Sequence, residues 1–320
     1  MFNNKKVLLI AGGGTLGTYT CEELLRLGCS VDIICLEDKI SHDSRLKFYK
    51  AEATLEYLEN LFKNNKYDAI VDFLHYTSVE KYKPYYELLS ANTKHLVFLS
   101  SYRVYSDREL PITENCPRLL EVIKDKEILE NESYALLKSR CEDFLNHNTK
   151  SKNYTIVRPV ISFSAKRLDL FMYSKQDVIE ASENNKPLYL PENAKHLTAG
   201  LDWAGNSGKL IANLLFKEET KGETYTISSA PNLTWGEVAE IYSRLLNIEI
   251  KWISEDEYLK PYISKNLRWQ CRYKYDRCFD RKINNEKVLK ATGLNASDFL
   301  SIEEGVKTEL KKAHKKEKLQ

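Results

Sequence analysis

The chain has 320 residues, 42% of them hydrophobic, enough for a sizeable core and two structural parts. Its 48 Lys and Arg against 46 Asp and Glu leave a formal charge of +2, too balanced to argue for nucleic acid or anionic lipid as a partner. No apolar run reaches the ~18 residues that read as a membrane span. The seven cysteines have no metal-ligand spacing, and with no export-type leader they read as reduced thiols in a cytoplasm, with no metal site.

In chain order, Lys6 to Ile10 reads as a short apolar strand, followed after Thr18 by a helix that ends at Gly28. Val31 to Leu36 is a second strand and Leu46 to Tyr49 a weaker third. Leu55 to Asn64 reads as helix, Ala69 to Leu74 as strand, and Lys83 to Ala91 as helix. His95 to Ser100 is the next strand, Ser133 to Asn146 a long helix, and Tyr154 to Pro159 a further strand. This rhythm predicts a doubly wound parallel sheet of the Rossmann type, an α/β fold covered on both faces.

After about Ser162 the pattern loosens. Gly205 to Phe216 reads as helix and Thr224 to Ser228 as strand, and "NLTWGEVAEIYSRLLN" has a helix start with Thr234 as cap and Glu237 three residues on. The division expected is a dinucleotide-binding core over 1–160, with 205–230 returning to it. A smaller, discontinuous substrate-binding part takes 161–204 and 231–320. Lys311 to Lys318 reads as a solvated helix end.

"LLIAGGGTLG" places Gly14 and Gly17 between a strand and a helix, where glycine lets the backbone approach a pyrophosphate at the helix N-terminus. Ala11 stands where a G-x-x-G-x-x-G turn has its first glycine. Glu37 could bind adenosine ribose hydroxyls at the end of the second strand, which favours NAD; Lys39 and Arg45 nearby keep NADP open. Tyr134 and Lys138 are four apart on one helical face, and a tyrosine beside a cation can serve as a proton donor or acceptor. Ser100 and Ser101 end a buried strand on the side of the sheet where ligands collect.

The glycine turn, "DAIVDFLHY" at Asp68, "FLSSYRVYS" at Phe98, "YALLK" at Tyr134 and "VRP" at Val157 together resemble the extended short-chain dehydrogenases/reductases of the NAD-dependent epimerase/dehydratase family. The likeness covers the first 160 residues well and the remainder thinly. It implies Tyr134 as catalytic acid/base, Lys138 as the group that lowers its pKa and binds the nicotinamide ribose, and Ser101 as the group that orients the substrate oxygen. Thr15, Leu16, Glu52, Phe73, Leu74, Ser100 and Pro159 join Gly14, Gly17 and Glu37 as implied cofactor contacts. Tyr102, Arg103 and Arg277 are the implied substrate contacts, Arg277 for a diphosphate or sugar, against a surface salt-bridge network with Asp276 and Asp280. Arg158 supports the site.

Tyr102 and Arg103 stand where sugar 4,6-dehydratases of the family commonly carry an Asp-Glu pair, which argues against that chemistry. The resemblance then implies a nucleotide-sugar epimerase with tightly bound, recycled NAD. An NAD(P)-dependent reductase or dehydrogenase of a sugar or small carbonyl compound is the alternative. A non-catalytic RNA- or nucleotide-binding relative on the same fold is the third reading. Family members often dimerise through two helices per subunit, here the segments Lys83 to Ala91 and Ser133 to Asn146.

Overall fold

The computed structural model describes residues 2–131, 134–149, 151–262 and 264–317. Its centre is a seven-stranded sheet, entirely parallel. The first five strands are β1 (Lys6–Ile10), β2 (Ser30–Cys35), β3 (Leu46–Lys50), β4 (Ala69–Asp72) and β5 (Leu96–Leu99). β6 (Tyr154–Pro159) follows, and beyond β7 (Ile161–Phe163), β8 (Leu188–Pro191) and β9 (Leu201–Trp203) comes β10 (Thr224–Ile227). In space the order is β10-β6-β5-β4-β1-β2-β3. Chain order reverses between β1 and β4, and the glycine turn leaves β1 at that crevice, the usual ligand position of an open α/β sheet.

The strands are short apolar runs because both faces are covered: Val7, Leu9, Val31, Val71 and Val97 pack on one side, Leu8, Ile10, Ile70, Phe98 and Ile156 on the other. Helix α1 (Thr15–Arg26) follows the glycine turn, α2 (Leu55–Asn64) starts at the Thr54 cap, and α3 (Val79–Ala91) at the Ser78 cap. Two starts differ from the sequence reading. α1 begins at Thr15, so that its N-terminus meets the glycine turn. α3 begins four residues before Lys83; its first turn precedes Pro84 and buries Tyr82. The strand expected to run to Leu74 ends at Asp72, whose carboxylate accepts the Leu74 N–H at 3.0 Å and turns the chain.

The helix expected from Ser133 runs Ala135–Asn148, and Ser133 lies outside the described residues. Helix Ala204–Leu214 packs on α1 so closely that a Cβ on Gly208 would lie 2.5 Å from the Tyr19 carbonyl carbon. The Thr234–Glu237 capping box starts helix Trp235–Leu246, as its spacing predicts.

Two small parallel pairs, β7 with β9 and β8 with β11 (Ile250–Ile253), belong to a second cluster of buried side chains around Phe163, Phe171, Trp235 and Tyr242. The last helix, Ile302–Glu317, is tied down at Glu309 and Lys312; Lys311 is exposed, and of the end expected to be solvated the side chains of 313–318 lie outside the described residues. Glu309 accepts from the Tyr19 hydroxyl, the Trp203 indole at 2.8 Å and the Ala165 N–H at 2.7 Å, and the Lys312 ammonium donates to Tyr19 at 3.0 Å. No described helix is long and apolar enough to cross a membrane.

Candidate active site and cofactor cleft

A cleft of about 750 Å3 runs from the glycine turn, past the ends of β5 and β6, to the segment 265–277. Its near end is built by backbone. Ala11 has φ +54, a left-handed conformation that explains why glycine is the usual residue there. A Cβ on Gly17 would lie 2.3 Å from the Gly12 carbonyl oxygen, so the turn closes only with glycine. A Cβ on Gly14 would meet nothing within 4 Å, which leaves the backbone at the start of α1 open to the cleft. The first turn of α1 has no acidic residue and no side-chain cap, so its N–H groups and dipole are available to an anion. These features fit a dinucleotide pyrophosphate.

The other expected cofactor residues divide. Thr15, Leu16, Phe73, Ser100 and Pro159 line the cleft. Glu37 folds back over the turn, its Oε2 against the face of Gly13, and its own backbone N–H holds the carboxyl below its ordinary value. Leu74 packs instead with the aromatic cluster of α3, and Glu52 is exposed between β3 and α2. The ammonium groups of Lys39 and Lys166 both donate to the Gly13 carbonyl at 3.0 Å, a convergence not read from the sequence.

Ser101 and Tyr134 face the same cleft. The Ser101 Oγ accepts the Arg103 N–H at 3.2 Å, starting a single 3-10 turn over Tyr102–Val104. The Tyr134 ring lies 5.7 Å from the His75 ring and 5.0 Å from the Arg103 guanidinium carbon. Lys138 sits one helical turn on, buried, with its Nζ donating to the Leu99 carbonyl at 2.5 Å and lying over the Phe98 ring. Burial pulls its pKa below the usual lysine value, against the opposing charge of Asp72. Ser100 is committed elsewhere, donating its hydroxyl to buried Glu142. Glu142 is four residues beyond Lys138 on the same helix face, a spacing that could have revealed it, and it pairs with Arg158.

The far end comes from the C-terminal part. Helix Leu267–Arg272 continues into a π turn, Tyr273–Arg277, which points Asp276 and Arg277 inward. Arg277 is on the cleft wall but buried, donating to the Phe171 carbonyl, Asp276 and the Tyr102 hydroxyl. The surface salt-bridge alternative is thereby corrected: the Asp276–Arg277 pair is interior. Tyr102 donates to Asp276, and Arg281 lies over the Tyr102 ring at 5.0 Å. Burial alone would raise the Asp276 carboxyl, but Arg277, Arg103 and Arg281 bring it to about 2. Arg268 and Arg272, not singled out in the sequence, line the open side with Trp269. Burial and the neighbouring Arg277 lower Arg272 to about 10. His196 is exposed and lies away from the cleft.

The fold is an α/β, Rossmann-like one shared with solved epimerases and dehydratases. No family model matches the chain. A UDP-glucose 4-epimerase of Lactobacillus helveticus is 32% identical over 133 residues, which cover 35% of this chain and 40% of that protein. The chain thus matches less than half the length of that curated relative. In structure, an epimerase of Methanothermobacter thermautotrophicus superposes with a TM-score of 0.73, covering 99% of this chain and 94% of its own at 15% identity. The dTDP-glucose 4,6-dehydratase of Bacillus anthracis, solved in complex with NAD, gives 0.70, covering 98% of each chain at 18% identity.

Proposed function

We propose that the protein is an NAD-dependent nucleotide-sugar epimerase with Tyr134 as acid/base. The observation that carries this reading is one continuous cleft holding the open glycine turn, the Ser101–Tyr134 pair and an arginine-lined far wall. Gly14, Thr15, Leu16 and Gly17 would hold the pyrophosphate, Glu37 the adenosine ribose, and Phe73 and Pro159 the nicotinamide side. Bound there, the cofactor supplies reversible hydride transfer at a sugar carbon. Tyr134 takes the proton of the reacting hydroxyl and returns it, and Ser101 orients that oxygen. Lys138 supports the tyrosine from the Leu99 side and reaches the ribose. Arg268, Arg272 and Arg277 offer charge to a diphosphate.

Dehydration is the poorer fit. It asks for a carboxylic acid that can donate a proton, and the carboxyl on the wall, Asp276, is held ionised by three guanidiniums. A reductase with exchanging cofactor uses the same residues and differs only in net turnover. Denaturing the purified protein and identifying the small molecules it releases by mass spectrometry separates them. Retained NAD with a nucleotide-sugar is the expected result. An empty protein that consumes NADH with a carbonyl substrate would replace the epimerase by the reductase, and failure to bind either dinucleotide would end the enzyme reading. A homodimer through α3 and helix Ala135–Asn148, in the cytoplasm, completes the proposal; light scattering tests the first point.

A further inference from the structure

The ammonium groups of Lys39 and Lys166 meet at one atom, the Gly13 carbonyl oxygen, each at 3.0 Å. They arrive from different parts of the chain. Lys39 follows β2 and lies over the Phe48 ring of β3 at 5.9 Å. Lys166 rides on a turn closed by reciprocal backbone bonds between Ser164 and Arg167, at 3.0 and 2.9 Å. That turn is pinned in two places: Ser164 Oγ lies 3.0 Å from Thr15 Oγ1 in the first turn of α1, and the Ala165 N–H donates to Glu309 at 2.7 Å. Two ammoniums on one neutral oxygen repel each other, and Glu37 offsets this. Its carboxylate lies 4.0 Å from Lys39 Nζ and feels the charge of Lys166 as well.

The peptide they hold joins Gly13 to Gly14. It is trans, so its N–H points away from its carbonyl. Gly14 lines the cleft, and neither lysine does. The carbonyl is therefore bound on the outer side. The N–H on the opposite edge belongs to the donors that a helix start leaves without an intrahelical partner. With glycine on both sides, a flip of this peptide meets little steric resistance. A flipped peptide would turn its carbonyl, the negative end of the dipole, toward an anion at the start of α1. A charge-assisted bond from each lysine opposes that flip and polarises the amide, which makes its N–H a better donor.

We infer that Lys39 and Lys166 are positioning residues for the cofactor: together they lock the Gly13–Gly14 peptide with its N–H toward the dinucleotide pyrophosphate. Lys166 also ties the chain after β7 to the cofactor turn, so the two parts of the molecule meet at this peptide. The inference rests on the dinucleotide site proposed above, and its test needs no turnover.

Protein labelled with 15N at glycine, cleared of nucleotide with charcoal, is followed by NMR. The amide signal absent from Gly14→Ala belongs to Gly14; a Cβ there meets nothing within 4 Å, so that variant keeps the fold. In the double variant Lys39→Met with Lys166→Met, the Gly14 signal moves while those of glycines outside the turn stay. Titration with ADP-ribose, which carries the pyrophosphate without the nicotinamide, then gives a dissociation constant raised about five- to tenfold, the size of one hydrogen bond. The constant for adenosine, which has no phosphate, is unchanged, and each single variant shows part of the effect. An unmoved Gly14 signal, or unchanged ADP-ribose affinity, in the double variant overturns the inference. So does a loss confined to 2′-phospho-ADP-ribose, which would assign the lysines to the extra phosphate of NADP. Wild-type protein that binds neither ADP-ribose nor NAD would sink the proposed function, while the Gly14 signal of the variants still decides whether the lysines set the peptide.

Discussion

Arg158 and Glu142 form a bidentate ion pair beneath the serine-bearing end of β5, Nε to Oε1 at 2.9 Å and Nη2 to Oε2 at 2.7 Å. Both are buried, and Ser100 and Arg118 also bond the carboxylate. Removing one partner leaves a buried charge unmatched. Glu142→Leu should cost about 3–5 kcal/mol in urea unfolding. Combining it with Arg158→Met should recover part of the loss, because no unpaired guanidinium remains. A single variant within about 1 kcal/mol of wild type would show that the pair contributes little.

Ala11 holds a left-handed backbone conformation that costs an L-residue about 1–2 kcal/mol, partly offset by the smaller unfolded-state entropy of alanine. Ala11→Gly should therefore raise stability by about 0.5 kcal/mol or more, visible as a higher Tm. A fall in Tm would mean that the methyl group makes contacts worth more than the strain.

Asp72 bears on pH dependence. Burial pushes its carboxyl up to about 6, against hydrogen bonds from Tyr76 and the Leu74 N–H that favour the ionised form. Its folded pKa thus exceeds the unfolded value of about 3.9, so the folded state binds more protons between roughly pH 4 and 6. Stability from this group falls as pH rises through that window, by on the order of 3 kcal/mol in all. His95 works the other way: burial lowers it to about 4, and the stability it provides is full above about 6.5 and lost as pH falls toward 4. Its ring accepts the Phe216 N–H and lies 2.7 Å from the Thr155 hydroxyl, which fits the neutral form. Asp72→Asn should gain on wild type as pH rises from 4 to 7, leaving the upward slope of His95 exposed. Parallel urea midpoints for the two proteins across that range would contradict the assignment.

Tyr134→Phe should lower kcat by about 10²–10⁴-fold, the usual range for a lost acid/base, while the protein still retains its dinucleotide. Ser101→Ala should have a smaller effect of the same kind. The check pairs a nucleotide-sugar interconversion assay with quantitation of released cofactor. Loss of cofactor in Tyr134→Phe would point to a binding role instead.

The strand–helix rhythm was legible because each apolar run has a turn and an amphipathic helix beside it, and periodicity reports burial directly. That Gly14, Gly17, Ser101 and Tyr134 come together along one cleft is legible for the same reason: each sits at a fixed offset from a regular element. Asp276, Arg268 and Arg272 were not. They lie on a short helix that runs into a π turn, where neither the 3.6-residue nor the two-residue period says which side chains point inward. The convergence of Lys39 and Lys166 on Gly13 joins positions 127 residues apart, and nothing local encodes it. Arg277 shows the limit from the other side: its charge suggested a ligand contact, whereas its burial and bonds to Phe171, Tyr102 and Asp276 give it structural work first.

The aromatic wall of the cleft has a practical consequence. Trp269 stacks between Tyr262, at 4.7 Å, and Tyr273, at 5.7 Å, and lines the cleft. Trp235 is sealed in the core, and Trp203 is fastened to Glu309. Ligand arrival therefore alters the surroundings of one indole far more than those of Trp203 and Trp235. The protein carries its own optical reporter, and the emission of Trp269 can follow occupancy of the cleft with no label attached.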